Sequence, residues 1–569
     1  MTKDHHRSLS RLWLIIICFL MLLPQFISGG VIIGNDTLFH FNRFYDAAMQ
    51  LRTGHFNYFQ TNYGFQQNGR VINAVYGPAF AMLNGALLAL THNWFGYQLL
   101  TTFIINLVAG IGMLNLSRQM GAGPGVSLLL AVTYLNIGWL PNWEMAQNMS
   151  AWGAALAPYL CMVAIQMITD HQKPVSWLKL TLIISITAQI HLLSTAIFVV
   201  TLVPFFIAGM VIVDHRWKMF KETLKAVGLT ILLSANIWGA LLELTTHNRL
   251  AKTNPFNLYH NALMISQTSG VRESILLIMV ILFGLATLFT LKSPQDGTWL
   301  IMLVGLGILL VASTLFPWQS LQSIMPALKR DFQFPARLTT VAYPLLFAGI
   351  ARLSTQGKWQ RWLLIICLLG TLIQASIFNS QAVYQAGRKH VNTTFLVRLK
   401  KTASRQDIVT ASNSRHFGKL IDEVGKRSPD YLPLLSKSQR NLPLTYQYEI
   451  LWQAPKFHHQ IRSDGALILT WYAKRANKRL VAVIVYQESK VVLNGKVQTH
   501  LHRSRLGAPY VTQRTGKNVL VLTFHPTMMT RFLLLIAGLS WLCFGLILLL
   551  HVFRRFRPKN SLVPYFGIG

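Results

Sequence analysis

Cysteine is scarce and badly placed for covalent or metal chemistry. The four residues, Cys18, Cys161, Cys367 and Cys543, all fall in apolar stretches with no CxxC pair, which argues against a disulfide framework or a cysteine metal site. Charge is scarce too, at 12% of 569 residues against 52% hydrophobic, and a mean hydropathy of +0.39 excludes a soluble multidomain protein of this length. Acids are the rarest class: 18 Asp and Glu face 52 Lys and Arg, giving a net charge of +34. Nucleic acid is not the partner this excess implies, because the hydrophobic segments dominate and the charge must first be placed relative to a bilayer. Also missing are a Walker loop, a glycine-rich dinucleotide motif, a His cluster with metal spacing, an internal repeat and a low-complexity tract.

What is present is a series of apolar segments. A spanning helix needs about 20 mostly apolar residues. Twelve segments qualify, near 12–29, 97–116, 124–141, 150–169, 177–193, 194–213, 226–244, 274–291, 298–316, 338–353, 361–378 and 531–552. The first follows Lys3, Arg7 and Arg11 as a signal peptide would, but Phe26-Ile27-Ser28-Gly29-Gly30 is a poor cleavage site, so it reads as a retained helix. Basic residues orient the chain. Lys3, Arg7, Arg11, Arg118, Arg216, Lys218, Lys221, Lys225, Arg352, Lys358 and Arg361 fall on one side if the N-terminus is cytoplasmic, and Arg554, Arg555, Arg557 and Lys559 join them after an even number of spans. The run from Tyr76 to Leu90 is short, holds Gly77-Pro78 and Gly85, and reads as a helix on the outer surface.

The sequence therefore predicts a mainly α, polytopic membrane protein of about 12 spans. Residues 1–378 form the transmembrane domain with an outer surface loop at 30–96, and residues 379–530 form an extracytoplasmic domain. Residues 531–569 are the last helix and a basic cytoplasmic tail. Half of the chain's positive excess lies in the outer domain, which carries 24 Lys and Arg against 7 Asp and Glu. That charge points to an anionic neighbour, lipid headgroups or a phosphate-rich wall polymer, or else is a solvated face with no specific partner. From Gly465 the pattern turns to strands: Ala466–Tyr472, Arg479–Tyr486, Lys490–Leu493, an Asn494-Gly495 turn, then Val519–Phe524. A small antiparallel sandwich is expected there, while 380–440 show no clear period.

Chemistry is carried by a few polar residues at loop ends. If Gly34-Asn35-Asp36-Thr37-Leu38-Phe39-His40-Phe41-Asn42-Arg43 opens a surface helix, Asp36, His40 and Arg43 share one face. A carboxylate there suits a general base or a metal ligand, and His and Arg suit an anionic leaving group. The alternative is that Asp36 is only a helix N-cap and Arg43 a headgroup anchor. Glu144, in Pro141-Asn142-Trp143-Glu144-Met145-Ala146-Gln147-Asn148, is either a second site carboxylate or a capping residue. His191 marks the hairpin tip inside the apolar run 177–213, as a functional group or an interfacial imidazole. Arg337, ending Phe332-Gln333-Phe334-Pro335-Ala336-Arg337, is placed to hold a phosphate or to snorkel to headgroups. Asp36, Glu144, His191 and Arg337 come from four outer loops and would meet at one membrane face.

These motifs, with Tyr76-Gly77-Pro78-Ala79-Phe80 and His191-Leu192-Leu193-Ser194-Thr195, resemble a family of bacterial multispanning membrane proteins. The family is labelled "6-pyruvoyl-tetrahydropterin synthase-related" and is similar to the YfhO-like proteins. The likeness runs over nearly the whole chain and is strongest in the first loop. The label implies no pterin chemistry, since the metal histidines of a pterin synthase are missing. The resemblance implies the GT-C glycosyltransferase superfamily, whose members move a sugar from a polyprenyl phosphate to an acceptor outside the cytoplasm. In that fold an acid of the first outer loop is catalytic, which falls on Asp36, and acids of the second outer loop complete the site, which falls on Glu144. The acidic pair that some members have there is absent, and the family's Pro-Pro is reduced to Gly77-Pro78.

The expected activity is an inverting transfer at the outer face of the bacterial plasma membrane, with both termini cytoplasmic. Asp36 would activate the acceptor, with Arg337 and Arg43 stabilising the phosphate and His40 or His191 assisting. The partners are a polyprenyl-phosphate sugar, membrane lipids and an anionic acceptor such as a teichoic acid, polysaccharide or glycolipid. A divalent cation stays open as cofactor, with Asp36 and Glu144 as its ligands if one is used. Two rival readings are a non-enzymatic envelope scaffold and a lipid or polysaccharide transporter. Transport would favour charges in the middle of spans, and here the acids cluster at loop ends.

Overall fold

The computed structural model describes residues 3–266, 274–291, 297–389, 396–399, 405–436 and 438–556, without the side chains of 3–7, 274, 389, 405, 552 and 554–556. The orienting side chains of Lys3, Arg7, Arg554 and Arg555, and the tail with Arg557 and Lys559, lie outside the described residues.

The chain is mainly helical, with a sheet region near its C-terminal end. Six helices are long and apolar enough to cross a membrane: Ser8–Ser28, Trp94–Gln119, Ser150–Thr169, Leu192–Ile212, Lys358–Arg388 and Met528–His551. A seventh candidate is the pair Arg216–Leu233 and Ala235–His247, bent by 58°. All twelve apolar segments carry helix, but twelve full-length spans are not what their lengths give. Pro124–Asn136, Trp177–Ile190, Leu277–Leu291, Thr298–Ala312 and Thr339–Leu353 have 13 to 15 residues. Each rises only about 20–22 Å, against a hydrocarbon thickness of about 30 Å.

The shortening has local causes. The run 177–213 breaks at His191, whose backbone is extended and whose ring caps the next helix by accepting from the Ser194 amide. Pro124–Asn136 ends as Ile137 turns extended, and Thr298–Ala312 ends on an extended Ser313. Thr339–Leu353 is buried along nearly all its length, packed on Thr298–Ala312 and Ser150–Thr169, so it is the helix at the centre of the bundle.

The first loop folds as a layer on this bundle. Helix Thr37–Thr53 packs on helix Ala79–Thr91, the surface helix expected near Tyr76–Leu90. The contact is backbone-close. A Cβ on Gly85 would lie 2.6 Å from the Ala48 nitrogen and 2.8 Å from the Ala47 carbonyl carbon, so only glycine fits. Asn42 and Asp46 on the first helix accept from the Phe65, Tyr63 and Gly64 amides. Those bonds hold the return turn, in which Phe65, Gln66 and Gln67 all have positive φ.

The sheet region has two antiparallel sheets. One has five strands, in the order His458–Ile461, Leu467–Ala473, Gly516–Phe524, Ser489–Leu493, Lys496–Val497. The other has three, in the order His502–Arg503, Pro509–Gln513, Asn477–Leu480. Leu467, Leu469, Trp471, Val491, Leu520 and Leu522 of the first sheet share one apolar cluster with Val511 of the second. Asn494 and Gly495 have φ of +50° and +82° and turn the chain tightly between Leu493 and Lys496.

One expected strand is cut short. Arg479–Tyr486 pairs regularly only to Leu480, and the stretch Val481–Tyr486 runs on buried, bonding alternately inside and outside its own sheet. Val481 and Val485 donate to Pro509 and Gly507, whereas Ile484 donates to the Asn68 carbonyl of the first loop. That stretch is a seam between the segment 379–530 and the first loop. Buried Arg70 adds to the seam by donating to the Ser428 and Asp430 carbonyls, and the Trp94 indole donates to Phe417.

Candidate functional site

Where the seam meets the bundle lies a cavity of about 880 Å³. Asp36, His40, His191 and Arg337 all line it, so expected residues from three of the four loops meet there. Glu144 does not join them. It lines a separate cavity of about 220 Å³, because the short helix Asn142–Ala146 turns it away from Asp36. From the same loop it is Asn148 that reaches Asp36, donating to Oδ2 at 2.9 Å.

Asp36 occupies the N-cap position of Thr37–Thr53 but makes no capping bond. Its other carboxylate oxygen lies 3.9 Å from the Lys426 ammonium, which also donates to the Asn35 carbonyl. Lys426 belongs to the outer domain, and Asp430 and Tyr431 of that domain line the cavity as well. The meeting of the two loops under Asp36 depends on Gly34. A Cβ there would fall 2.1 Å from the Met145 carbonyl oxygen and 2.7 Å from the Ala146 Cα. Gly34→Ala is therefore expected to lower stability by about 1–3 kcal/mol and to loosen the Asn148–Asp36 bond; thermal unfolding of the detergent-solubilised protein measures the first effect.

His40 is buried against the rings of Phe39, Phe44 and Tyr76. Burial, then the charges of Arg43 and Lys426, hold its imidazole well below the usual range, so it is neutral at pH 7. An Arg43 N–H donates to Nδ1 at 3.3 Å, which leaves the imidazole proton on Nε2. Arg43 does not line the cavity. It is buried behind His40, stacked 4.7 Å from the Tyr76 ring centre and donating to the Gly77 carbonyl, so it orients the imidazole rather than meeting a ligand. In His191, Nδ1 accepts from the Ser194 amide, so its proton is on Nε2 too.

No family model matches the chain, and no curated protein matches it either.

Arg337 is a buried cation lining the cavity. The residue is 4% exposed, and its guanidinium packs near the rings of Trp139 and Phe334 and donates to the Phe332 carbonyl at 3.3 Å. Burial pulls it down to about 10, with Asp36 acting in the opposite direction, so it stays charged at neutral pH. Its Nε is buried with no hydrogen-bond partner. An unmatched donor on a buried cation is costly unless something in the cavity completes it.

The ligand pair expected for a metal, Asp36 with Glu144, is split between the two cavities. Among the described residues, the one group with metal spacing is Glu243, His247 and Glu488, far along the seam. Its carboxylates already accept from Thr527, from Asn248 and, at 2.7 Å from Glu488, engage His247, which ties the last span to the outer domain.

Lys426, Asp430 and Tyr431 were not among the residues singled out from sequence. They lie in 380–440, where no period marks an element, and the fold brings them in through the small strand Val424–Lys426. The only available signal was Asp430 itself, an acid in a segment dominated by basic residues.

Proposed function

We propose that the protein is a membrane glycosyltransferase of the GT-C superfamily, related to the YfhO-like proteins. It takes a sugar from a polyprenyl phosphate and attaches it to an extracytoplasmic envelope acceptor, a glycolipid, teichoic acid or polysaccharide. The observation that carries this reading is a carboxylate, Asp36, and a buried guanidinium with an unmatched donor, Arg337, lining one cavity between the helical bundle and the outer domain. On this reading the protein sits in the bacterial plasma membrane, the chain crosses twelve times, using the shorter helices as spans, both termini are cytoplasmic, and the cavity opens on the outer face.

Asp36 accepts the proton of an acceptor hydroxyl as its oxygen bonds to the anomeric carbon from the side opposite the phosphate. The bond from that carbon to the phosphate oxygen breaks, its electron pair leaves on the phosphate, and the sugar inverts. Arg337 meets the charge that develops on the leaving phosphate, with neutral donors from His40 and His191. Lys426 and Asn148 hold the Asp36 carboxylate in place. The basic outer domain gathers an anionic acceptor over the cavity.

Envelope polymers and glycolipids from a deletion strain, compared by mass with those of the parent, test the reading. A glycan shorter by one sugar type, restored by the wild-type gene, is the expected result. An unchanged envelope would overturn it.

A further inference from the structure

The cavity that holds Glu144 takes no part in that chemistry, yet it is built like a site. Segment 139–149 forms a wall shared by the two cavities: Trp139, Ala146 and Asn148 face the larger one, and Leu140, Glu144 and Met145 the smaller. The smaller cavity lies where the N-terminal span, the Trp94–Gln119 span and the Lys358–Lys389 helix meet the 139–149 segment. One part of its lining is polar, with Thr102, Asn106, Ser376 and Ser380, and another is apolar, with Leu20 and Pro24. Among the described residues no Lys, Arg or His lines it, and Glu144 is its one titratable group.

Two of its polar atoms are unmatched. Glu144 Oε1 and Thr102 Oγ1 are both buried without a hydrogen-bond partner, and Thr102 is 2% exposed. Burial pushes the Glu144 carboxyl up to about 8, so at neutral pH it is mostly a neutral acid, able to donate one hydrogen bond and accept others. With no cation to meet it, an anionic headgroup has no partner here. A group that both donates and accepts does.

We infer that this cavity binds an uncharged, hydroxyl-bearing amphiphile, whose hydroxyls pair with Glu144 and Thr102 while its chain runs along Leu20 and Pro24. A neutral glycolipid and a partial glyceride share that chemistry. The site stands whether or not the larger cavity transfers a sugar.

The test is native mass spectrometry of the full chain in a sugar-free polyoxyethylene detergent. It is titrated with decyl glucoside, monodecanoylglycerol, decyl phosphate and decyltrimethylammonium. For the glucoside or the glyceride, whichever binds more tightly, the affinity is expected to fall roughly tenfold in Glu144→Leu and about threefold in Thr102→Val, and to survive in Glu144→Gln. Wild-type binding should also fall as pH rises through about 8, where the Glu144 proton is lost, while Glu144→Gln stays flat. If Glu144→Leu does not fold, Thr102→Val and the pH profile carry the decision. Neutral amphiphile binding that ignores Glu144, tighter Glu144-dependent binding of the ammonium probe, or no stoichiometric binding beyond water would each overturn the assignment.

Discussion

On the proposed function, Asp36→Asn is expected to lose most sugar transfer while leaving the protein folded. The substitution keeps the shape of the side chain, and an amide oxygen still accepts from Asn148, so the junction of the two outer loops is preserved. What is lost is a carboxylate that lines the cavity, makes no capping bond on its own helix and lies 3.9 Å from Lys426. A general base of this kind contributes about 10²- to 10⁴-fold in rate, and turnover should fall by that factor with the thermal midpoint near wild type. Asp36→Glu should recover a fraction of the rate, since it restores the base with displaced geometry. Release of polyprenyl phosphate per unit time, alongside thermal unfolding of the same samples, measures both effects.

Arg337→Met separates activity from stability in the opposite sense. A buried guanidinium with an unmatched Nε contributes little to holding the fold, and a well-packed apolar side chain of similar length is neutral or stabilising at such a position. Met also fits between Trp139 and Phe334, where the guanidinium now lies. The expected result is a thermal midpoint equal to wild type or higher, with transfer lowered by about 10²- to 10³-fold through loss of a donor to the leaving phosphate. Arg337→Lys keeps the charge but neither the planar fork nor the ring packing, so it should fall between the two. If Arg337 were only a headgroup anchor, the Met variant would lose stability and keep its rate.

The helices were legible because apolar runs must be helical in a bilayer, where every backbone group needs an internal partner. All twelve runs carry helix, but run length overstated span length. The reason is visible at Ile137 and Ser313, where the backbone turns extended inside the apolar runs 124–141 and 298–316. Hydropathy sees apolar side chains and not the backbone dihedrals between them. The strands from Leu467 onward were legible from their alternation and from Asn494-Gly495, whose positive φ values only a few residue types tolerate. Val481–Tyr486 misled for the complementary reason. Val481, Ala482, Val483 and Val485 share the apolar cluster of the two sheets as strand residues would, while Ile484 bonds to the first loop, and that break in pairing leaves no mark in the apolar pattern.

At the site, Asp36, His40, His191 and Arg337 came together, whereas Glu144 lines a separate cavity and Arg43 is buried behind His40. Asp36, His40 and His191 sit at helix ends, and Arg337 opens the central helix, so their place follows from helix boundaries. Glu144 sits on a five-residue helix whose direction depends on tertiary packing, with Trp143 wholly buried beside it and its indole donating to Thr101. Lys426 reaches Asp36 from 390 residues along the chain, and no local pattern carries a contact of that range.

On the proposed function the larger cavity moves a sugar off a polyprenyl phosphate. The most direct measurement places full-length wild-type and Asp36→Asn protein in nanodiscs with the polyprenyl-phosphate sugars of a bacterial membrane extract. An envelope extract is added as acceptor, and free polyprenyl phosphate is followed by mass spectrometry. Donor bound by both proteins, with polyprenyl phosphate released by wild type and not by Asp36→Asn, is the expected result. Equal release by the two, or no donor bound by either, would contradict it.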